Sequence, residues 1–137
     1  PNGQHHGTAA AVEFAIKNLK IEHLIIMGHS NCGGVRGCID MCQGRAPDLE
    51  KKESFVGRWL DVLRPGFERV KDITPPEVQQ TMLEKEGIQV SLENLMSYPV
   101  VAQAVNSKNL TLHGIWADIA DMDIESYDGT LRHFVKV

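Results

Sequence analysis

A histidine and a cysteine lie three residues apart in a glycine-rich segment, Gly-His-Ser-Asn-Cys-Gly-Gly, which covers residues 28–34. His29 and Cys32 carry an imidazole and a thiol, which are both good zinc ligands, and a loop can turn the two toward one point. The glycines let the backbone approach a metal or a small ligand without obstruction by side chains. Two ligands alone do not make a metal site, so a buried cysteine beside a capping histidine is the alternative interpretation of this spacing.

Other residues of ligand type are interpreted as structural. A helix that begins near Gly34 rises ~1.5 Å per residue, which carries Cys38 several ångströms along its axis, and Cys42 farther. Zn–S bonds are about 2.3 Å long, so both cysteines are predicted to be small core residues instead. His5 and His6 precede the first predicted helix and are predicted to lie on the surface.

Two aspartates and two tryptophans complete the set of candidate functional residues. Asp118 and Asp121 follow an apolar segment, and acid–base catalysis is one hypothesis for them. Strand ends and turns commonly carry Asp for structural reasons, which is the interpretation that we adopt. Trp59 and Trp116 are predicted to be buried, with Trp116 beside a sheet.

The elements around the glycine-rich segment indicate how its residues are positioned. Thr8 is predicted to cap a helix that runs to about Lys20, because apolar residues recur on one face. Residues 21–28 (IEHLIIMG) are predicted to form a strand, and their continuous apolar centre favours burial on both faces, as in a parallel sheet. Since ligands of open α/β sheets bind at the carboxyl ends of strands, residues 29–34 are the place to look for chemistry.

The rest of the chain predicts an α/β domain with a mostly parallel sheet flanked by helices. Proline residues begin or break the predicted helices. The turn Asp128-Gly129 predicts a hairpin. The predicted helices cover residues 54–72, with a break at Pro65, then 76–98 and 99–106, and the predicted strands cover residues 110–119, 124–127 and 131–137.

Length and charge exclude several classes of protein. The 137 residues suit a single domain, 1–137, and the net charge of −4 gives no reason to expect nucleic acid or an anionic membrane as a partner. The longest apolar run, residues 24–27, is far too short to cross a bilayer. Three cysteines at low density favour a reduced compartment, and a cytoplasmic location is therefore expected.

Several segments together resemble one family, the β-class carbonic anhydrases. The resemblance extends from about residue 3 to residue 128, and the Gly-His-x-x-Cys-Gly motif is its most specific part. The similar segments are residues 10–15 (AAVEFA), 19–35 (LKIEHLIIMGHSNCGGV), 91–95 (SLENL), 98–100 (YPV) and 112–116 (LHGIW).

This resemblance implies a fold, an activity and a set of site residues. His29 and Cys32 would bind Zn²⁺, and zinc-bound hydroxide would attack CO₂ to give bicarbonate and a proton. Gly33, Gly34 and Val35 would line a small pocket for the substrate. The family forms dimers and larger assemblies, so a homodimer or a higher homo-oligomer is expected.

One departure from the family pattern affects the predicted site. The family has a third zinc ligand in a Cys-x-Asp-x-Arg motif, on a strand before the segments seen here, and no such motif occurs in this chain. Without that strand, residues 21–28 would present an apolar unpaired edge. Upstream residues outside this sequence are the favoured explanation, and the alternatives are a strand from another chain and an altered oligomer.

Two other functions are compatible with these residues. A degenerate homologue could keep the fold as a binding or assembly module without catalysis. Alternatively, Cys32 could be a nucleophile with His29 as its base, which requires a free thiolate.

Overall fold

Six α-helices, one 3₁₀ turn and four strands make up the part of the chain that the computed structural model describes, which is residues 6–137 with side chains from residue 7 onward. The interpretation of His5 and His6 as surface residues concerns side chains outside this part. The elements are α1 (His6–Lys17), β1 (His23–His29), α2 (Gly33–Cys42), α3 (Phe55–Leu60), a 3₁₀ turn (Asp61–Leu63), α4 (Arg64–Val70), α5 (Pro76–Met96), α6 (Pro99–Asn106), β2 (Thr111–Ala117), β3 (Ile124–Asp128) and β4 (His133–Lys136).

Most of the predicted elements are confirmed, with differences at their boundaries. The predicted helix over residues 54–72 is divided into α3, the 3₁₀ turn and α4, and Pro65 lies in the first turn of α4, where proline is tolerated. Helix α1 begins at His6, so the prediction that Thr8 caps it is wrong. Thr8 lies inside the first turn instead.

The strands form one mixed sheet in the order β1-β2-β3-β4. Strands β1 and β2 are parallel, and their register runs from His23 opposite Thr111 to His29 opposite Ala117. The β2–β3 and β3–β4 pairings are antiparallel, and the second of these is the predicted hairpin. The α/β class is confirmed, and among the described strands the parallel share is smaller than predicted.

Strand β1 lies at an edge of this sheet, and only one of its faces is covered. Ile26 packs with Leu24 against a cluster that includes Val101, whereas Ile25 and Met27 on the opposite face are 54% and 65% exposed. The prediction of burial on both faces is therefore wrong for residues 6–137, because within that range no element covers this second face. Among the four described strands, β1 pairs only with β2, so the expected apolar, unpaired edge is present there.

The main core lies among helices α2 to α5. Cys38 and Leu83 are its most buried members and Leu60 is buried with them, which confirms the structural interpretation of Cys38. Because α3 turns Leu60 inward, Trp59 is left 61% exposed, and the prediction that it is buried is wrong. Trp116 is buried on β2, as predicted.

Helix α5 approaches the sheet closely because two glycines face it. A methyl group on Gly28 would lie 2.9 Å from Cδ1 of Ile88, and one on Gly114 would lie 2.8 Å from Cγ2 of the same residue. These distances are too short for carbon atoms, so side chains at either position would push the helix outward. The approach brings the first half of α5 next to the loop that follows β1.

Candidate metal centre

His29 is the last residue of β1, and its ring is oriented by the next residue along the chain. Its Nδ1 atom lies 2.9 Å from the carbonyl oxygen of Ser30, and since a carbonyl only accepts, Nδ1 donates the hydrogen bond. The Nε2 atom of the neutral ring then keeps its lone pair. A histidine that donates one ring N–H to a carbonyl and offers the other nitrogen is the usual form of a metal-binding histidine.

The chain reverses between His29 and Cys32 in a short turn. Asn31 adopts the left-handed conformation with φ 55°, which asparagine tolerates better than most residues. Cys32 then precedes α2 as its N-cap, and its side chain makes no capping hydrogen bond. The half-buried thiol therefore lies at a helix amino terminus, where free backbone N–H groups favour negative charge.

Hydrogen bonds to the residues that follow β2 also hold this turn in place. The Ser30 hydroxyl donates to Asp118 over 3.0 Å and accepts from the backbone N–H of Ile119, also over 3.0 Å. Hydrogen bonds from the Ala120 N–H and from Ser30 lower the pKa of Asp118. A lowered folded-state pKa gives a stabilising contribution that is present at neutral pH and is lost as the pH falls through the folded-state value. These contacts support the structural interpretation of Asp118.

Glu84 on α5 is the site residue that the sequence did not indicate. Its side chain is buried, and Oε1 accepts the backbone N–H of Cys32 over 3.0 Å and Nε2 of Gln80 over 3.2 Å. Oε2 accepts the indole N–H of Trp116 over 3.3 Å. In the sequence, Glu84 stands among Lys85 and Glu86 in a charged stretch typical of a solvated helix face, so no local signal distinguishes it.

The three residues predicted to line a substrate pocket have different surroundings. A methyl group on Gly33 would meet nothing within 4 Å, so there is open space beside the first residue of α2. Gly34 lies against Trp59, whose Cζ3 atom is 3.4 Å from the position of an added methyl group. Val35 is buried in the main core. Their role in substrate binding stays a prediction.

The side chains of this loop are of the types that bind zinc, but they are too few for a complete zinc site. An imidazole nitrogen and a thiol lie at the two ends of one short turn, and both are zinc ligands of the correct chemistry. Within residues 7–137, no group of three or more His, Cys, Asp or Glu side chains could hold a metal ion. Cys38 and Cys42 contact each other, with their sulfur atoms 4.0 Å apart.

We expect Cys38 to resist alkylation in the folded chain. Burial, with smaller contributions from Cys42, raises the pKa of its thiol to about 12, and the thiolate is the reactive form. At pH 8, iodoacetamide should modify Cys38 at least about tenfold more slowly than the half-buried Cys42, as followed by peptide mass spectrometry. In guanidinium the two should react at similar rates. Equal rates in the folded chain would contradict the burial argument.

Comparison with known proteins gives one consistent family. The family model described as carbonic anhydrase matches residues 1–124. Beta carbonic anhydrase 3 of Arabidopsis thaliana is 35% identical over 118 residues, which is 84% of this chain and 45% of that protein. Beta carbonic anhydrase 5, chloroplastic, of the same plant is 31% identical over 123 residues, covering 88% of this chain and 39% of that protein.

Solved structures agree with these sequence matches. The β-carbonic anhydrase CcaA superposes with a TM-score of 0.86 at 29% identity, covering 100% of this chain and 61% of that one. A tetrameric β-carbonic anhydrase from Sordaria macrospora gives a TM-score of 0.74 at 24% identity over 90% of this chain and 60% of that one, which supports the fold alone. The chain spans less than half the length of the curated relatives described above.

Proposed function

The chain belongs to the β-class carbonic anhydrase family, and from that premise we propose that it contributes to zinc-dependent reversible hydration of carbon dioxide to bicarbonate and a proton. The observation that carries the proposal is the turn after β1. There His29 presents a free Nε2 atom, and Cys32 presents a thiol at the start of α2.

The proposal assigns a role to each residue around this turn. Zinc, when bound, supplies a Lewis acid that lowers the pKa of a coordinated water to about 7. The Ser30 carbonyl holds the His29 ring in the tautomer that leaves Nε2 available. The open space beside Gly33 gives a small uncharged substrate room to approach. Gly34 and Val35, the next two residues of α2, are proposed to line the same pocket.

Among residues 7–137, no group of three or more ligand-type side chains could hold a metal ion, so the proposal needs a third zinc ligand from elsewhere. We propose that it comes from a longer polypeptide or from a second copy in a homo-oligomer. The unpaired edge of β1 and the exposed Ile25 and Met27 support such an addition beside the site.

The proposal includes a cellular compartment. All three cysteines are free thiols, which suits a reduced compartment such as the cytoplasm. No helix in residues 6–137 is long and apolar enough to cross a membrane.

The incomplete ligand set also favours one alternative, a homologue that keeps the fold without catalysis. Two ligands should hold zinc weakly, and such a protein would act by binding or assembly. The nucleophile hypothesis requires a hydrogen bond between the thiol and its base. The bond from Nδ1 of His29 to the Ser30 carbonyl leaves Nε2 able to serve either as that base or as a zinc ligand, so alkylation of Cys32 is needed to separate the two functions.

The decisive experiment is elemental analysis for zinc alongside an intact mass, combined with stopped-flow CO₂ hydration. The proposal predicts near one zinc per chain, measurable hydration, and slower alkylation of Cys32 when zinc is present. Absence of both zinc and hydration at the mass of this sequence would exclude a second copy as the source of the third ligand, and absence of both in a longer polypeptide that includes this sequence would favour the non-catalytic homologue. Rapid alkylation of Cys32 that zinc does not slow would instead support the nucleophile hypothesis.

A further inference from the structure

We infer that Glu84 is a positioning residue that holds Cys32 in place for metal binding. The inference rests on the proposed zinc site, and it adds a residue that lies 52 positions beyond Cys32, on a different helix. Within residues 7–137, Glu84 does not form a three-residue metal-ligand group with His29 and Cys32. It acts through the backbone of the turn that carries them.

The contact between Glu84 and Cys32 completes the amino terminus of α2. In a capping box, a glutamate three residues after the N-cap accepts the N-cap backbone N–H. In α2 the N-cap is Cys32, and the residue at that third position is Val35, which has no acceptor and is buried in the core. Glu84 supplies the missing acceptor from α5, at 3.0 Å.

The other two hydrogen bonds of Glu84 fix the position of its carboxyl group. Gln80, one turn earlier on α5, donates to the same oxygen as Cys32, and Trp116 donates to the other oxygen. Trp116 on β2 is paired with Gly28 on β1, and Gly28 is the residue directly before His29. The carboxyl group therefore ties the Cys32 end of the turn to the strand that lies beside its His29 end.

Burial makes this arrangement sensitive to substitution. Glu84 is 4% exposed, so water cannot readily replace it, and its removal leaves N–H donors without acceptors. Glu84→Ala removes every acceptor, whereas Glu84→Gln retains one oxygen that can still accept the Cys32 N–H. Trp116→Phe removes a single donor and leaves the bond to Cys32 intact.

A matched control is available two residues along the same helix. Glu86 accepts from Arg69 in a partly exposed ion pair and from Gln89 on its own helix, and neither of these hydrogen bonds involves the turn. Glu86→Ala therefore removes a glutamate contact from α5 without altering the support of Cys32. Circular dichroism establishes that each variant is folded before it is compared.

Two readouts test the inference, and the first does not require zinc. Hydrogen exchange of the Cys32 backbone amide in the zinc-free chain should be at least about tenfold faster in Glu84→Ala than in Glu86→Ala, since the amide loses its acceptor. Zinc affinity, measured by competition with a chromophoric chelator, should fall by about 10–100-fold, as for other residues that orient ligands. Glu84→Gln should restore most of both properties, and Trp116→Phe should give intermediate values.

The outcomes separate this inference from the proposed function. Unchanged Cys32 exchange in Glu84→Ala, relative to the Glu86→Ala control, would overturn the positioning role even if the wild-type chain hydrates CO₂. Faster exchange that Glu84→Gln reverses would support the role even if the wild-type chain shows no hydration. If Glu84→Ala does not fold, the wild-type chain decides: exchange of the Cys32 amide as fast as that of an unprotected backbone N–H would overturn the inference, because the hydrogen bond to Glu84 predicts protection.

Discussion

Replacement of Cys32 by serine is expected to weaken zinc binding by more than about 100-fold and to remove CO₂ hydration with it. A serine hydroxyl keeps its proton near neutral pH and is a poor zinc ligand, whereas a thiolate is a strong one. The change is small in volume, and Cys32 makes no side-chain hydrogen bond at the N-cap of α2. The fold should therefore survive. Chelator competition and stopped-flow hydration, run on the same preparations, check both parts of the prediction.

Cys42→Ser is the matched control for this substitution. Cys42 is also a half-buried free thiol of α2, but it lies at the far end of the helix, beside Cys38. Zinc affinity and hydration should remain within about twofold of wild type in this variant, since it is distant from the turn. Equal losses in the two serine variants would mean that Cys32 has no special role. His29→Gln should behave like Cys32→Ser if the two side chains bind the same ion.

Replacement of Gly57 by alanine is expected to have the largest effect on stability. A methyl group at this position would lie 1.8 Å from the carbonyl oxygen of Leu49 and 2.8 Å from its carbonyl carbon. Both are backbone atoms, so no side-chain rotation relieves the overlap, and α3 must separate from the segment before it. We expect the free energy of unfolding to fall by about 3 kcal/mol or more, at the upper end of overpacking effects. Urea unfolding followed by circular dichroism measures this change.

Gly129→Ala provides the comparison for Gly57→Ala. A methyl group on Gly129, in the turn between β3 and β4, would meet nothing within 4 Å. This variant should therefore change the free energy of unfolding by less than about 1 kcal/mol. If Gly57→Ala were as stable as Gly129→Ala, the close contact between Leu49 and α3 would not exist in solution. The test is independent of zinc and of activity.

Local sequence signals predicted the structure correctly where a residue acts on its immediate neighbours in the chain. Pro99 begins α6, because proline fixes its own φ and lacks a backbone N–H. Asp128 lies at the β3–β4 turn, because its carboxylate accepts backbone N–H groups of the residues that follow it. The motif around His29 and Cys32 likewise identified the family from its own residues. The break at Pro65 was predicted for the same reason.

Burial could be predicted less well, because it depends on what packs against each face. Residues 21–28 have an apolar centre, yet Ile25 and Met27 are exposed, since the covering element is not among the described residues. Trp59 was predicted to be buried from its type alone. The orientation of α3 directs Leu60 into the core instead and leaves the larger ring over Gly34.

The sequence by itself determined the family, the α/β class and the two candidate zinc ligands, because these depend on residue types at short spacing. Only the tertiary structure decided that Glu84 supports Cys32. Gly28 and Gly114 leave room for Ile88, so α5 packs closely on the sheet. Glu84 on that helix can therefore accept from the backbone N–H of Cys32, the N-cap of α2. Hydrogen bonds between distant segments have no period and no local spacing, so they become visible only when the packing of the helix on the sheet is known.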